Sequence, residues 1–213
     1  MNSKKAVEFQ GGVEQHKEGL PRRTFLQGVG VGAGAVGLLR SEAKAAPLTG
    51  DGTQAVGPGP APIILIVNGK TYKLELEPRV TLLDALRNSL DCTGAKKVCD
   101  RATCGSCTVI LDGAPVYACT VLAIEAQGRD VQTIEGLSTP DKPHAVQKCF
   151  VEHDAQQCGF CTPGFVMACK AFLDKNRYPS PDQVQSELGG NICRCGTYAG
   201  VRQAVLDAAR ELS

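Results

Sequence analysis

The sequence predicts an α+β chain in which a small sheet-containing domain precedes an all-helical one. Asn68-Gly69 separates two runs of strand-forming residues, which is a strong signal for a β-hairpin. Beyond Pro140, the apolar residues stop alternating and recur with the helical period of about 3.6 residues. Eight of the 11 cysteines form two sets of four, one in each half, with different spacings.

The first half is expected to contain two hairpins, one helix and a closing strand. Thr81 is a suitable N-cap, and Asp84 completes a capping box before a leucine-rich stripe. Asp112-Gly113 marks the turn of the second hairpin. The predicted strands are residues 63–67, 71–76, 108–111, 115–119 and 130–134.

The second half is expected to contain four short helices. Thr162-Pro163 and Ser180-Pro181 each place a capping hydroxyl before a proline at the first helical position, so each pair predicts a helix start. Gly189-Gly190 is expected to end the third helix. The apolar faces of the first and last helices are predicted at Val146, Cys149, Phe150, Val201, Val205, Ala208 and Leu212.

Residues 1–45 have the order of a secretory signal. Arg22-Arg23 precede a short apolar run rich in glycine and alanine, and a small-residue site, Ala43-Lys44-Ala45, follows it. The arginine pair indicates twin-arginine export, which predicts contact with that export machinery and a periplasmic location for the folded protein. The apolar run is shorter than the roughly 20 residues that span a bilayer, so no stable membrane anchor is expected. The alternative is a disordered Gly/Ala tail.

The remaining chain divides by composition. Residues 46–61 are rich in glycine and proline and are predicted to form a linker. Residues 62–138 are predicted to form the first domain and residues 139–213 the helical one. The formal net charge is +1 and no basic cluster alternates with aromatic residues, so a nucleic-acid partner is not expected.

The first cysteine set follows the spacing C-x4-C-x2-C-x11-C, which is typical of the plant-type 2Fe–2S ferredoxin loop. Backbone N–H groups of such a loop would hydrogen-bond to the anionic sulfurs, and Gly105 would let the chain come close to them. Structural zinc also takes four cysteines, but its ligands usually come as two separated pairs. The set is Cys99, Cys104, Cys107 and Cys119.

The second cysteine set follows the spacing C-x2-C-x31-C-x-C, which is less specific. Both of its pairs are predicted to lie just before helix N-termini, whose partial positive charge favours an anionic cluster. Zinc and, for the first pair, a redox disulfide are alternatives. Two iron–sulfur clusters in one chain would mean electron transfer. The set is Cys158, Cys161, Cys193 and Cys195.

Three segments of the chain together carry a family resemblance. Thr93–Cys107 looks like the ferredoxin loop of the xanthine oxidase family of molybdenum hydroxylases, while Gln157–Gly164 and Gly190–Cys195 resemble that family's second-cluster motifs. The segments occur in the family's order, and the likeness spans residues 62–213. With the export signal, it points to the iron–sulfur subunits of periplasmic aldehyde oxidoreductases within this family.

The resemblance implies a β-grasp ferredoxin domain followed by a four-helix bundle, each binding one 2Fe–2S cluster. It also implies a large partner subunit with molybdopterin cytosine dinucleotide and a medium partner subunit with FAD. Electrons from aldehyde oxidation at molybdenum would pass through the two clusters to FAD. Gln157 and Cys195 match positions that approach the pterin of the large subunit. No catalytic residue is assigned to this chain.

One departure from the family pattern follows the last cysteine of the second set. The family commonly continues with Thr-Gly-Tyr, whereas this chain has Gly196-Thr197-Tyr198, which changes the backbone but removes no ligand. Two other functions remain open from the residues alone. They are a free-standing, diffusible ferredoxin-type electron carrier and a zinc-stabilised binding module.

Overall fold

The sheet of the first half is built around the predicted Asn-Gly hairpin. The structure is a computed structural model that describes residues 56–139 and 141–213, so the predicted signal and most of the predicted linker lie outside the described residues. Its elements, in chain order, are β1 (Ala61–Val67), β2 (Lys70–Leu76), α1 (Leu82–Asp84), β3 (Thr108–Leu111), β4 (Ala114–Tyr117), β5 (Asp130–Gln132), α2 (Ala145–Glu152), α3 (Thr162–Lys175), α4 (Pro181–Glu187) and α5 (Tyr198–Glu211).

The five strands form one mixed sheet in the order β2-β1-β5-β3-β4. Both hairpins are antiparallel, and β5 inserts between them, parallel to β1 and antiparallel to β3. Asn68 and Gly69 have φ values of 51° and 73°, which is the left-handed geometry that a two-residue hairpin turn requires. The predicted α+β fold and both predicted hairpins are confirmed.

Helix α1 covers the sheet and starts as the sequence predicts. The Thr81 hydroxyl accepts the Asp84 backbone N–H at 3.1 Å, so this residue is the N-cap. The helix continues as a π-helical turn, Ala85–Ser89. Leu82 and Leu86 are fully buried against the sheet, which explains the leucine stripe.

The four predicted helices of the second half are all present. Ser180 caps α4 with a reciprocal capping box, because its hydroxyl accepts the Gln183 N–H while the Gln183 side chain accepts the Ser180 N–H. Cys149, Cys169 and Phe165 lie in the core of this half, so the two cysteines pack as small apolar side chains. Within the described ranges, no helix is both long and apolar enough to cross a membrane.

The two halves share an apolar interface along β3 and α3. All four residues of β3 are buried, so the strand is covered on both faces. Val109 and Leu111 face the core of the sheet half, while Ile110 packs against Met167 and Ala171 of α3. The described residues accordingly form one compact unit.

Three predicted boundaries are wrong by a few residues. Strand β4 ends at Tyr117, so Cys119 lies in the following turn, where the Thr120 N–H bonds to the Tyr117 carbonyl at 3.0 Å. Strand β5 ends at Gln132 because a 3-10 turn, Ile134–Gly136, follows. The N-cap position of α3 is Cys161, and Thr162 is already helical.

Candidate metal centres

The structure brings the first cysteine set together at the end of the sheet. Cys99 and Cys104 are half-buried, whereas Cys107 and Cys119 are buried. Cys104 is close enough to Cys99 to influence the pKa of Cys99, and Cys119 is close enough to Cys107 to influence the pKa of Cys107. The four residues therefore present two neighbouring pairs of sulfur atoms from one loop and one turn.

Backbone N–H groups of the loop point at these sulfurs, as the sequence predicts for an anionic site. The Ala102 N–H donates to Cys119 Sγ and the Thr103 N–H to Cys99 Sγ, both at 3.4 Å. Hydrogen bonds from the backbone of Arg101 and Thr103 lower the pKa of Cys99 to about 6. Cys99 therefore ionises readily to the thiolate, which is the form that binds metals.

Cys107, one of the two buried cysteines of the first set, has the opposite character. Burial, with a smaller contribution from the neighbouring Cys119 thiol, raises the pKa of Cys107 to about 12. A buried thiolate is stable only beside a compensating positive charge, which a metal ion supplies. Cys107 is therefore suited to metal ligation and unsuited to remaining as a free thiolate.

Polar side chains that the sequence analysis did not identify hold the loop in place. The Arg87 guanidinium donates to the Thr93 carbonyl at 2.7 Å and to the Ala95 carbonyl at 2.8 Å. The Gly94 N–H donates to Glu135 Oε1 at 2.7 Å, which ties the loop to the end of the sheet half. Such bonds span 6 to 41 positions and have no local sequence signal.

Gly105 also has a role that the sequence does not predict. It has a φ of +69°, and a Cβ there would meet the Asn191 side chain and the Gly190 carbonyl at 2.7 Å. The residue that comes close is therefore in the helical half. Glycine is needed at this position for the contact between the two cysteine loops and for the left-handed backbone.

The second cysteine set lies where two helices begin. Cys158 and Cys161 precede α3, and Cys193 and Cys195 precede α5, as predicted. Cys193 and Cys158 are both close enough to Cys161 to influence its pKa. Cys158 and Cys195 are exposed, so this set opens to the surface.

Cys161 and Cys193, the two less exposed cysteines of the second set, have pKa values shifted in opposite directions. Burial raises the pKa of Cys161 to about 12. Burial also opposes ionisation of Cys193, but the Thr197 hydroxyl and backbone N–H donate to its sulfur, and its pKa falls to about 7. The Thr197 Oγ1 to Cys193 Sγ distance is 3.2 Å.

Exposed apolar side chains lie on the segments that carry the second set. Phe160 and Ile192 are about half exposed, at 53% and 48%, and Tyr198 is exposed at 42%. Gln157, which the resemblance places near a partner's pterin, is also exposed beside Cys158. Large apolar side chains exposed together on such segments suit a surface that another protein covers.

A buried hydrogen-bond network joins the two cysteine loops. The Ile192 N–H donates to the Cys104 carbonyl at 2.9 Å, so a residue of the first set is bonded to the neighbour of Cys193. The Asn191 amide donates to the Gly105 carbonyl at 2.9 Å and to Thr108 Oγ1 at 3.3 Å. Asn191 is 6% exposed, so the network is shielded from water.

Two observations test whether these residues suit iron–sulfur clusters. Among the described residues, no three of the eight sulfurs lie within 4.8 Å of one another. Four thiolates around a single tetrahedral zinc would lie about 3.8 Å apart, given a Zn–S bond of about 2.3 Å. The wider arrangement suits ligands shared by two metals. In addition, Thr162 Oγ1 is buried beside Cys161 without a hydrogen-bond partner, which leaves a donor for an acceptor such as sulfide.

A third group of potential ligands lies away from both sets. One ligand atom from each of Cys149, Glu152 and Glu211 falls within a 4.8 Å cluster. Lys148 Nζ lies 2.7 Å from Glu211 and 3.8 Å from Glu152, so these carboxylates already have a cationic partner. We assign no metal to this cluster.

Comparison with known proteins agrees with this arrangement. Residues 65–134 match the "2Fe-2S iron-sulfur cluster binding domain" family, and residues 133–206 match the "[2Fe-2S] binding domain" family. The aldehyde oxidoreductase iron-sulfur-binding subunit PaoA of Escherichia coli K12 is 38% identical over 93% of this chain and 92% of its own. The nicotinate dehydrogenase small FeS subunit of Eubacterium barkeri is 41% identical over 67% of this chain and 91% of its own.

Solved structures give the same result. The crystal structure of quinoline 2-oxidoreductase from Pseudomonas putida 86 matches with a TM-score of 0.69 and 41% identity, over 72% of this chain and 96% of that one. The aldehyde oxidoreductase of Desulfovibrio gigas matches with a TM-score of 0.69 and 39% identity, over 71% of this chain and 17% of that one. The predicted plant-type ferredoxin domain and the helical domain after it are thus confirmed, and the chain belongs to the family of iron–sulfur subunits of the molybdenum hydroxylases.

Proposed function

We propose that this chain carries electrons between a molybdenum site and FAD in an aldehyde oxidoreductase of three kinds of subunit. The observation that carries the proposal is the placement of two four-cysteine sets on directly hydrogen-bonded loops of one compact unit. The near-full-length likeness to PaoA supports aldehydes as the substrate class. A free-standing ferredoxin carrier would have no need for the exposed apolar surface around the second set.

In this proposal each cysteine set holds one 2Fe–2S cluster, which supplies one-electron redox chemistry when bound. This chain's own residues keep the sulfurs apart as two pairs and direct N–H and O–H donors at them. Asn191 fixes the distance between the two loops. The second set, with exposed Gln157 and Cys195, would face the molybdenum-binding large subunit, and the first set would face the FAD-binding medium subunit.

Electron paramagnetic resonance of the dithionite-reduced protein, with iron and zinc counted on the same sample, tests the cluster content. We expect two distinct S = 1/2 signals and about four irons per chain. One signal with two irons and one zinc would overturn the assignment of the second set. Purification of the tagged chain with its co-expressed partners should also recover molybdenum and FAD in fixed ratio, whereas a chain that stays monomeric would contradict the subunit role.

We further propose export of the folded chain by the twin-arginine route, since cluster insertion requires the reducing cytoplasm. Replacing both Arg22 and Arg23 by lysine preserves the charge and removes the arginine pair. The double variant should accumulate in the cytoplasm with its clusters intact, while the wild-type chain appears in the periplasm without residues 1–45. Equal periplasmic amounts of the two chains would contradict this route.

A further inference from the structure

Thr197 stands at the N-cap position of α5 but does not cap the helix. N-cap threonines ordinarily accept a backbone N–H of the first turn, which stabilises a protein by about 1 kcal/mol. The Thr197 side chain makes no such bond. Its hydroxyl lies instead 3.2 Å from Cys193 Sγ, and the residue is only 7% exposed.

The loop around Thr197 is built to hold this contact. Gly196 has a φ of +80°, which turns the chain back after Cys195. The Cys193 N–H donates to the Tyr198 hydroxyl at 2.9 Å, and the Tyr198 ring packs edge-on against Phe165 at 6.2 Å. The segment from Cys193 to Tyr198 is therefore closed on itself, and the Thr197 hydroxyl has little freedom to turn away.

We propose that Thr197 is a tuning residue that raises the reduction potential of the cluster held by the second cysteine set. This inference rests on the proposed function. Reduction adds one electron to the cluster, and part of the added negative charge falls on the ligand sulfurs. A hydroxyl aimed at Cys193 Sγ stabilises the reduced form more than the oxidised form, because hydrogen bonds to a more negative acceptor are stronger.

The first cysteine set provides an internal comparison. Its sulfurs accept hydrogen bonds from the backbone N–H groups of Ala102 and Thr103, which no side-chain substitution removes. The Thr103 hydroxyl donates to the Arg101 carbonyl at 3.1 Å instead of to a sulfur. A threonine hydroxyl thus lies near each set, but of these two only that of Thr197 is directed at a ligand sulfur.

The test is a redox titration of the purified complex, monitored by electron paramagnetic resonance, with Thr197→Val, Thr197→Ser and Thr103→Val. The signal that Cys158→Ser abolishes identifies the second set. For Thr197→Val we expect the ratio of reduced to oxidised second cluster, at a fixed potential, to fall about three- to tenfold. That is a midpoint shift of about 30 to 60 mV to lower potential, at about 59 mV per tenfold for one electron.

The matched variants distinguish the effect of the Thr197 hydroxyl from the effect of changed packing at that position. Thr197→Ser keeps the donor and should titrate like the wild type, and Thr103→Val, on the other cysteine loop, should leave the midpoint of the second cluster unchanged. If Thr197→Val does not retain the cluster, Thr197→Ala against Thr197→Ser makes the same comparison. Two intact signals with no difference between hydroxyl and non-hydroxyl variants would overturn the inference. A wild-type protein with only one signal would instead overturn the proposed function.

Discussion

Gly164, the third residue of α3, packs closely against the first cysteine loop. A Cβ at this position would overlap the Gly105 carbonyl oxygen and would lie 3.0 Å from Ser106 Cα. Both obstacles are backbone atoms, so no side-chain rotation can relieve the overlap. Gly164→Ala must therefore push α3 away from the loop, and the bonds of Asn191 to the same loop resist that movement.

Two opposing effects set the size of this perturbation. Replacing glycine by alanine inside a helix stabilises it by up to about 1 kcal/mol. Forcing an extra methyl into a closely packed contact costs about 1–3 kcal/mol, and a backbone obstacle argues for the upper end of that range. We therefore expect the free energy of unfolding to fall by about 2 kcal/mol, which corresponds to a Tm lower by roughly 4–8 °C for a chain of this size.

Thermal unfolding of the cluster-loaded chain, followed by far-ultraviolet circular dichroism and visible absorbance, measures this effect. Gly189→Ala is the matched control, because the nearest atom to a Cβ there is the Ser186 carbonyl oxygen at 3.4 Å, an ordinary contact distance. A Gly164→Ala variant that unfolds at the same temperature as Gly189→Ala, or higher, would refute the argument that α3 and the first cysteine loop leave no room for a methyl group.

Three further predictions concern single side chains. Cys104→Ser should abolish one paramagnetic signal and Cys158→Ser the other, and loss of both signals in either variant would contradict separate sites. Thr162→Val should speed loss of the second cluster to a chelator, because the variant lacks the buried hydroxyl that would donate to a cluster sulfur; equal or slower loss would mean that this hydroxyl makes no bond to the bound cluster. His144 caps α2 by accepting the Val146 N–H at Nδ1 (3.3 Å), and burial keeps its pKa below the usual value. The stabilising contribution of neutral His144 should therefore be complete above a pH of about 6.5 and should be lost as the pH falls below that value. In His144→Asn, the measured Tm should depend less on pH over this range.

The sequence predicts best the features that depend on neighbouring residues. The Asn68-Gly69 turn and the caps at Thr81 and Ser180 all have the expected geometry, because each needs only a few successive residues. Thr162-Pro163 has the same local pattern as Ser180-Pro181 but a different outcome. Cys161 contacts Cys193 and takes up the N-cap position, so a long-range requirement moves the helix start by one residue.

The contacts that join the two halves could not be inferred from local patterns. Asn191 bonds to Gly105 across 86 positions, and a lone asparagine beside two glycines usually indicates only a turn. The available signal is its position two residues before the cysteine pair that begins at Cys193. Arg87 was missed for the same reason, since its partners are main-chain carbonyls that any residue could supply.

Strand β3 is covered on both faces, and this has a consequence for how the gene segments encoding the two domains can recombine. A ferredoxin domain that works alone would present the outer face of this strand to water, whereas here Ile110 needs Met167 and Ala171 as neighbours. Swapping the first domain for that of an independent ferredoxin would bring a polar surface against an apolar helix. The segments that encode the two domains should therefore travel as a pair through recombination, and joints between them should be rare among hybrid genes that still yield folded protein.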